Sequence, residues 1–409
     1  MEDGERTKAP QRSQRGISLL IAVMAIAIML STISDMILTS AVQVELASGT
    51  RDRIKAEYLA KSGANLAVLL LSVSFGIDLF RSGPNAPAPF KQDRVDDASS
   101  IWNSFNSLPP LGAMTVALAQ AASKAEDDPF GLKGLMSEGV ANVMALFEDE
   151  FSIQISDEQG KINLNDCRQG RCPETTNMLD ALFSCPIEKA FLESKHLSPE
   201  ELRTRIKDFI QAKATDPTFS TGDVKDPYQK ETPPYLPKGL PLDSVEELRL
   251  VDGWDDEIHA VFSPYLTTFL YNEKRDFSKV NINTAPKELM ACLMPEAQSG
   301  GCHEKFALGW EKIQKDKSPI AASTNQIKEK LKNLFCYLED EQDKQSANNK
   351  ETWFDVKSDF FRVKVNARTG SQDLNLDMVI RRIPPKSNAF LRNKQRTKRS
   401  YQIVTWKMR

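Results

Sequence analysis

From Ile17 to Leu38 the chain is apolar at every position except Ser18, Ser31, Thr32, Ser34 and Asp35. As a helix this run covers roughly 30 Å, enough to cross a bilayer core. The helical pattern does not stop there. In "DRIKAEYLAKSGANLAVLLLS", charges stand at Arg53, Lys55, Glu57 and Lys61, and the apolar residues gather on one side ahead of Leu66 to Leu71. The pattern predicts one long helix, lipid-facing first and amphipathic afterwards.

A Pro-rich stretch follows, with Pro84, Pro87, Pro89, Pro109, Pro110 and Pro129, which predicts loop with short helices. Period-two alternation then begins. Phe151, Ile153 and Ile155 on one side of Asp157-Glu158-Gln159-Gly160, with Ile162 and Leu164 on the other, read as a hairpin. A helical lobe should come next. Ser198-Pro199-Glu200-Glu201 carries a capping serine and a first-turn proline, and Ser244 with Glu247 repeats the capping-box spacing. Between them lies a long Pro-, Gly- and Asp-rich loop. The last third returns to strands: Phe361, Val363 and Val365, then Leu374, Leu376, Met378 and Ile380, then Gln402, Val404 and Trp406 mark the alternation of an antiparallel meander. The basic loop Lys386 to Arg399, before the last strand, reads as a solvated face.

The chain has 409 residues, 41% hydrophobic and 27% charged, which suffices for two buried cores beyond the first helix. A net charge of -3 gives no reason to expect a polyanion-binding protein. All six cysteines, Cys167, Cys172, Cys185, Cys292, Cys302 and Cys336, follow the apolar run. An oxidising compartment there would permit disulfides, whose connectivity the sequence leaves open. No C-x-x-C pair supports zinc. Three histidines and the absence of H-E-x-x-H, Walker and G-x-S-x-G motifs give no support to an enzyme.

One phrase occurs twice. "GKINLND" and "SKVNINTAPKEL" share Lys, apolar, Asn, apolar, Asn, placing Asn163 and Asn165, and again Asn281 and Asn283, opposite the apolar positions. Each phrase is expected to end a strand and launch a helix at a junction between lobes.

The flank of the apolar run admits three readings. Arg12 and Arg15 with Thr39 and Ala41 fit a secretory signal peptide. The length of the run fits an ordinary anchor, with the N-terminus inside and the bulk outside. "QRG/ISLLIAVMAIAIML" resembles the site at which type IV prepilins are cut after a glycine, here Gly16, leaving Ile17 as the first mature residue and retaining the helix. Pilins commonly carry glutamate at the fifth mature position, which here is Ile21. A subunit at the filament tip has no neighbour ahead to neutralise such a carboxylate, so the resemblance implies a tip position.

That site, "DEQGKINLND", "PLDSVEELRLVDGW", "SKVNINTAPKEL" and "SDFFRVKVNAR" follow one another in the order that resembles the type II secretion minor pseudopilin K family, also called general secretion pathway protein K. The Pro-rich stretch and the cysteines depart from its pattern. The resemblance implies an α+β fold: a leader at 1–16, a transmembrane spine helix at 17–75, a pilin-like antiparallel sheet from 76–165 and 351–409, and a large helical insertion at 166–350. It implies an inner-membrane, single-pass protein with its bulk in the periplasm of a Gram-negative bacterium. The expected partners are I- and J-type minor pseudopilins, the major pseudopilin, the inner-membrane secretion platform, the prepilin peptidase and secreted proteins. Family members hold calcium near a Gly-acid segment followed by tyrosine. Gly222, Asp223, Asp226 and Tyr228 look similar, making Asp223 and Asp226 candidate ligands.

"VNINTAPKELMACL" also resembles the opening of helix-hairpin-helix modules, which makes a membrane-anchored DNA-binding protein the alternative. The turn "PEAQSGGCHEK" has Gly300 and Gly301 but lacks the Gly-apolar-Gly order, and its acids would repel phosphate. No nucleic-acid partner is expected.

Overall fold

A computed structural model of the chain describes residues 12–82, 95–97, 100–104, 106, 150–166, 173–211, 228, 233–269, 278–298, 300–316, 318–337, 349–370, 372–383 and 401–409. Its helices are α1 (Arg12–Ser82), α2 (Ile101–Ser104), α3 (Pro173–Phe183), α4 (Pro186–Ser194), α5 (Pro199–Gln211), α6 (Asp256–Phe262), α7 (Lys287–Leu293), α8 (Gly300–Asp316) and α9 (Ile327–Phe335). The strands are β1 (Glu150–Asp157), β2 (Ile162–Asn163), β3 (Leu266–Thr267), β4 (Val280–Asn281), β5 (Phe354–Asp355), β6 (Phe360–Thr369), β7 (Gln372–Arg382) and β8 (Tyr401–Met408).

At 71 residues, α1 is about 105 Å long. Its two halves differ in what surrounds them. Every large apolar side chain from Ile17 to Leu46 is exposed, whereas Ala56, Ala60, Ala64, Ala67, Leu71 and Phe75 are buried. Three- and four-residue spacing puts the buried set on one stripe. The stripe lies on one face of a four-stranded antiparallel sheet ordered β1-β6-β7-β8. Val363 and Val365 of β6, Leu376, Met378 and Ile380 of β7 and Ile155 of β1 cover it. Small residues let the helix come close. A β-carbon on Gly63 would lie 2.6 Å from Val365 Cγ1 and 2.9 Å from Phe151 Cδ2.

Between β1 and β6 the chain builds a second lobe from α3 to α9, with its own core around Phe183, Phe209, Phe262 and Phe335. Phe183 meets Phe262 edge to face at 5.0 Å, a favourable quadrupole geometry. Cys185, at the corner before α4, is bonded to Cys292 of α7, and Cys302 of α8 to Cys336 at the end of α9. Cys167 and Cys172 lie outside the described residues.

Three expectations are corrected. β1 does not form a hairpin with the segment at Ile162. It pairs with β6, Ile155 opposite Val363, while β2 pairs in parallel with β3 in a separate sheet. The apparent turn Asp157-Glu158-Gln159-Gly160 is the crossing from sheet to lobe, and its three polar side chains are buried rather than solvated. In β8 the alternation is displaced. A register irregularity lies opposite Val379 and Ile380, so Tyr401 and Ile403 before it and Trp406 and Met408 after it share the face of Ile380, Met378 and Leu376, while Gln402 and Val404 do not. Tyr401 and Met408 pack against the spine core. Finally, Ser244 precedes a 3-10 helix (Val245–Leu250) without capping it. Glu247 instead accepts from the backbone N–H of Asp243 at 2.8 Å. The expected cap before α5 is present: the Glu201 N–H donates to Ser198 Oγ at 3.1 Å.

Candidate assembly site: the spine and the lobe junction

The two Asn phrases form the same clasp twice. Each first asparagine sits in a two-residue parallel pair, Asn163 beside Thr267 and Asn281 beside Asp355. Its Oδ1 accepts the N–H two residues on, from Asn165 at 3.1 Å or Asn283 at 3.0 Å. Its Nδ2 donates to a serine hydroxyl, Ser278 at 2.9 Å or Ser358 at 2.8 Å. Each second asparagine embraces one distant residue through both backbone groups. Asn165 does so with Leu242 at 2.7 and 2.8 Å, Asn283 with Ala321 at 2.9 and 3.0 Å. A primary amide carries one acceptor and two donors, which is what a two-sided backbone contact requires.

The second clasp also fastens the lobe to the sheet. Asn281 Nδ2 lies 3.1 Å from Asp157 Oδ2 and 2.9 Å from the carbonyl of Asp96. Asp157 also accepts from Thr284 at 2.6 Å, from the Gln159 N–H at 2.7 Å and from Ser358. Asp96 Oδ2 accepts the Ser358 N–H at 3.0 Å, and Asp96 Oδ1 accepts both terminal nitrogens of Arg382 at 3.2 Å. The Arg382 guanidinium lies between Phe361 at 4.7 Å and Phe75 of the spine at 5.1 Å. A continuous polar chain thus runs from α1 through β7 to the helical lobe. Alongside it, Glu158, 1% exposed, pairs with Arg362 at 2.6 Å and Lys161 at 3.0 Å.

Burial pushes the Asp157 carboxyl up to about 6, against the donors from Ser358, Thr284 and Gln159. Burial likewise pushes Asp166 up to about 6, against Ser278. For Glu158, burial is outweighed by the charges of Lys161 and Arg362, which hold it below the usual range. A carboxyl whose folded pKa exceeds its unfolded value supports the fold fully below the unfolded pKa and loses that support as pH rises through the folded one. Between the ordinary 3.8 and about 6, Asp157 therefore accounts for a fall on the order of 3 kcal/mol. Asp157→Asn should remove about half of the combined Asp157 and Asp166 slope, read from urea midpoints between pH 4 and 7. An unchanged slope would mean that Asp157 stays ionised in the fold.

Of the residues singled out in the sequence, Gly16 lies within α1, and Ile17 and Ile21 are each 61% exposed on it. Gly222, Asp223 and Asp226 lie outside the described residues. Tyr228 is buried, 5.7 Å from Phe209 and 5.4 Å from Tyr235. The basic loop at 386–399 is likewise outside them. Asp96, Ser358 and Arg382 escaped the sequence reading. An arginine ending an alternating apolar strand was the one local signal.

A helix bare and apolar in its first half, sheet-packed in its second, with a helical lobe inserted between the strands, defines a pilin-like subunit. Among the described residues, Ile17–Asp78 is long and apolar enough to span a membrane, which fits a single-pass anchor. Residues 160–270 match the family model described as type II secretion system (T2SS), protein K. The structure is similar to a chain in the crystal structure of the GspK-GspI-GspJ complex from the enterotoxigenic Escherichia coli type 2 secretion system. The TM-score is 0.50 and the identity 14%, over 88% of this chain and 98% of that one. At that identity the likeness is one of fold. Comparison with curated proteins gives no match. The family match is confined to residues 160–270, and the long apolar helix, antiparallel sheet and inserted helices are the fold of the solved chain.

Proposed function

We propose that this chain is a minor pseudopilin at the tip of the type II secretion pseudopilus, where it initiates assembly with I- and J-type minor pseudopilins and supports export across the outer membrane. The observation that carries the proposal is the protein K match of the lobe at 160–270, joined in one chain to a spine whose apolar half is bare. In the bilayer, lipid covers that half. In the pseudopilus, neighbouring spines replace lipid, so helix packing rather than water exclusion drives assembly. Ile21 suits a subunit with no neighbour ahead, because a carboxylate there would be desolvated without a cation. Processing would follow Gly16, and the lobes would stand in the periplasm. Asp223 and Asp226 are kept as candidate calcium ligands, since hard carboxylate oxygens suit that ion.

The test is to cross-link from Ile26 in native membranes and identify what co-purifies. I- and J-type pseudopilins are expected, together with loss of secretion when the gene is deleted. Normal secretion in the deletion strain would overturn the proposal. Recovery of DNA on the chain in place of these partners would favour the helix-hairpin-helix alternative.

A further inference from the structure

The four-stranded sheet has two edges, β1 and β8, and they are finished differently. Along an antiparallel pair, residues that bond to the neighbouring strand alternate with residues whose N–H and C=O point the other way. Just past β1 the Glu158 N–H bonds to the Phe360 carbonyl, so Ile155, three residues back, points outward. There a side chain closes the edge. The Ile155 N–H donates to Asn106 Oδ1 at 2.7 Å, and Asn106 Nδ2 donates to the Ile155 carbonyl at 2.6 Å. This is the two-sided contact of the lobe clasps, used here as a plug.

β8 has no such plug. Arg409 and Asn375 exchange both backbone bonds, at 2.9 and 2.8 Å. Lys407 opposite Asp377 and Thr405 opposite Val379 therefore also bond to β7, and Trp406 and Met408 turn their N–H and C=O groups outward. Among the described residues nothing bonds to those four groups. We propose that β8 accepts a short, uncharged strand from a partner protein, which extends the sheet by one strand. The inference is independent of the tip assignment.

The open groups fix the form of the occupant. They repeat every ~7 Å along the edge, a spacing that another extended backbone matches. The side chains beside them fix its character: Ile403 is 44% and Trp406 41% exposed on the spine side of the sheet, so apolar residues of the added strand gain cover there. The register irregularity after Ile403 ends the straight stretch and keeps the added strand short. A second copy of β8 fits poorly. α1 runs along the sheet, with Asp52 beside Gly370 at the β6–β7 turn and Phe75 beside Arg382 at the other end. An antiparallel pair of β8 strands would send the two apolar spines in opposite directions, against a single membrane orientation. A symmetric parallel pair would set Lys407 directly beside its counterpart, a like-charge contact.

The full chain in neutral detergent would be titrated with a fluorescent, end-blocked peptide alternating valine and threonine, with protein-free micelles as the blank. The comparator is the same peptide N-methylated at alternate amides, which keeps the side chains and removes the donors that face β8. Saturable binding of the first peptide is expected, at least about tenfold tighter than the second. Amide exchange at Trp406 and Met408 should slow when it binds. Trp406→Pro removes an outward N–H without breaking the ladder to β7 and should weaken binding about tenfold. The N-methylated peptide keeps the test decisive if that variant does not fold. Leu308→Ser, which removes an exposed apolar residue of α8 in the helical lobe, should bind as the parent does. Absence of saturable binding, equal binding of the N-methylated peptide, or unchanged exchange at Trp406 and Met408 would overturn the proposal. So would a concentration-dependent dimer that protects these amides when the peptide does not bind, which would assign the edge to a second copy.

Discussion

Arg382→Met is expected to lower the unfolding free energy by about 3–5 kcal/mol, because it removes the guanidinium from a buried carboxylate. Asp96 is 0% exposed and Arg382 4% at its side chain, so water cannot replace the lost partner. The second carboxylate near the guanidinium, Asp78 at 3.7 Å, loses this contact as well. Methionine keeps much of the apolar stem between Phe75 and Phe361, which separates charge from packing. Urea unfolding of the full chain in detergent measures the loss. Adding Asp96→Asn should recover most of it, since neutral, well-packed replacements of a buried pair are often tolerated. A single variant costing under about 1 kcal/mol would show that the pair is no stronger than a surface contact.

The second large effect concerns processing and follows from the proposed function. Gly16→Ala should leave the N-terminal segment attached and stop secretion altogether, because the added methyl hinders close approach of a peptidase to the scissile backbone. Intact mass and terminal sequencing of protein from native membranes would show the product. A variant beginning at Ile17 in secreting cells would contradict the expectation. Ile21→Glu should act differently, leaving the N-terminus correct and impairing assembly, through the cost of an unpaired carboxylate in an apolar contact.

Local patterns made much of the fold legible. Alternation at Phe361, Val363 and Val365 and from Leu374 to Ile380 marks the faces of β6 and β7, and the texture of Ala56, Ala60, Gly63, Ala64 and Ala67 marks the stripe that meets them. What failed was non-local. Asp157-Glu158-Gln159-Gly160 has turn composition, but its side chains are satisfied by Asn281, Ser358 and Arg362, more than a hundred residues away. No window around residue 158 contains that information. In β8 the alternation predicts the face of Trp406 but not of Gln402 and Val404, because a register irregularity set by pairing with β7 lies between them. The asparagine repeat was legible as a junction, while its partners were not. Leu242 and Ala321 contribute only backbone groups to the clasps, and any residue type has those.

The insertion of the helical lobe between β1 and β6 also bears on how the protein is made. Ile155 meets Val363 across roughly two hundred residues of chain, and the entropy of closing so long a loop opposes that contact until something shortens it. The lobe does so by folding: its entry and exit become neighbours, with the Glu158 N–H bonded to the Phe360 carbonyl at 3.0 Å. The spine-packed sheet should therefore close after the lobe, as a late event in maturation. Pulse-labelled hydrogen exchange during refolding would show α3 to α9 protected before β1 and β6, and the reverse order would refute it. If the chain assembles as proposed, it would remain unable to present a finished spine surface until its most distant part had folded, so that folding would be checked before subunits join.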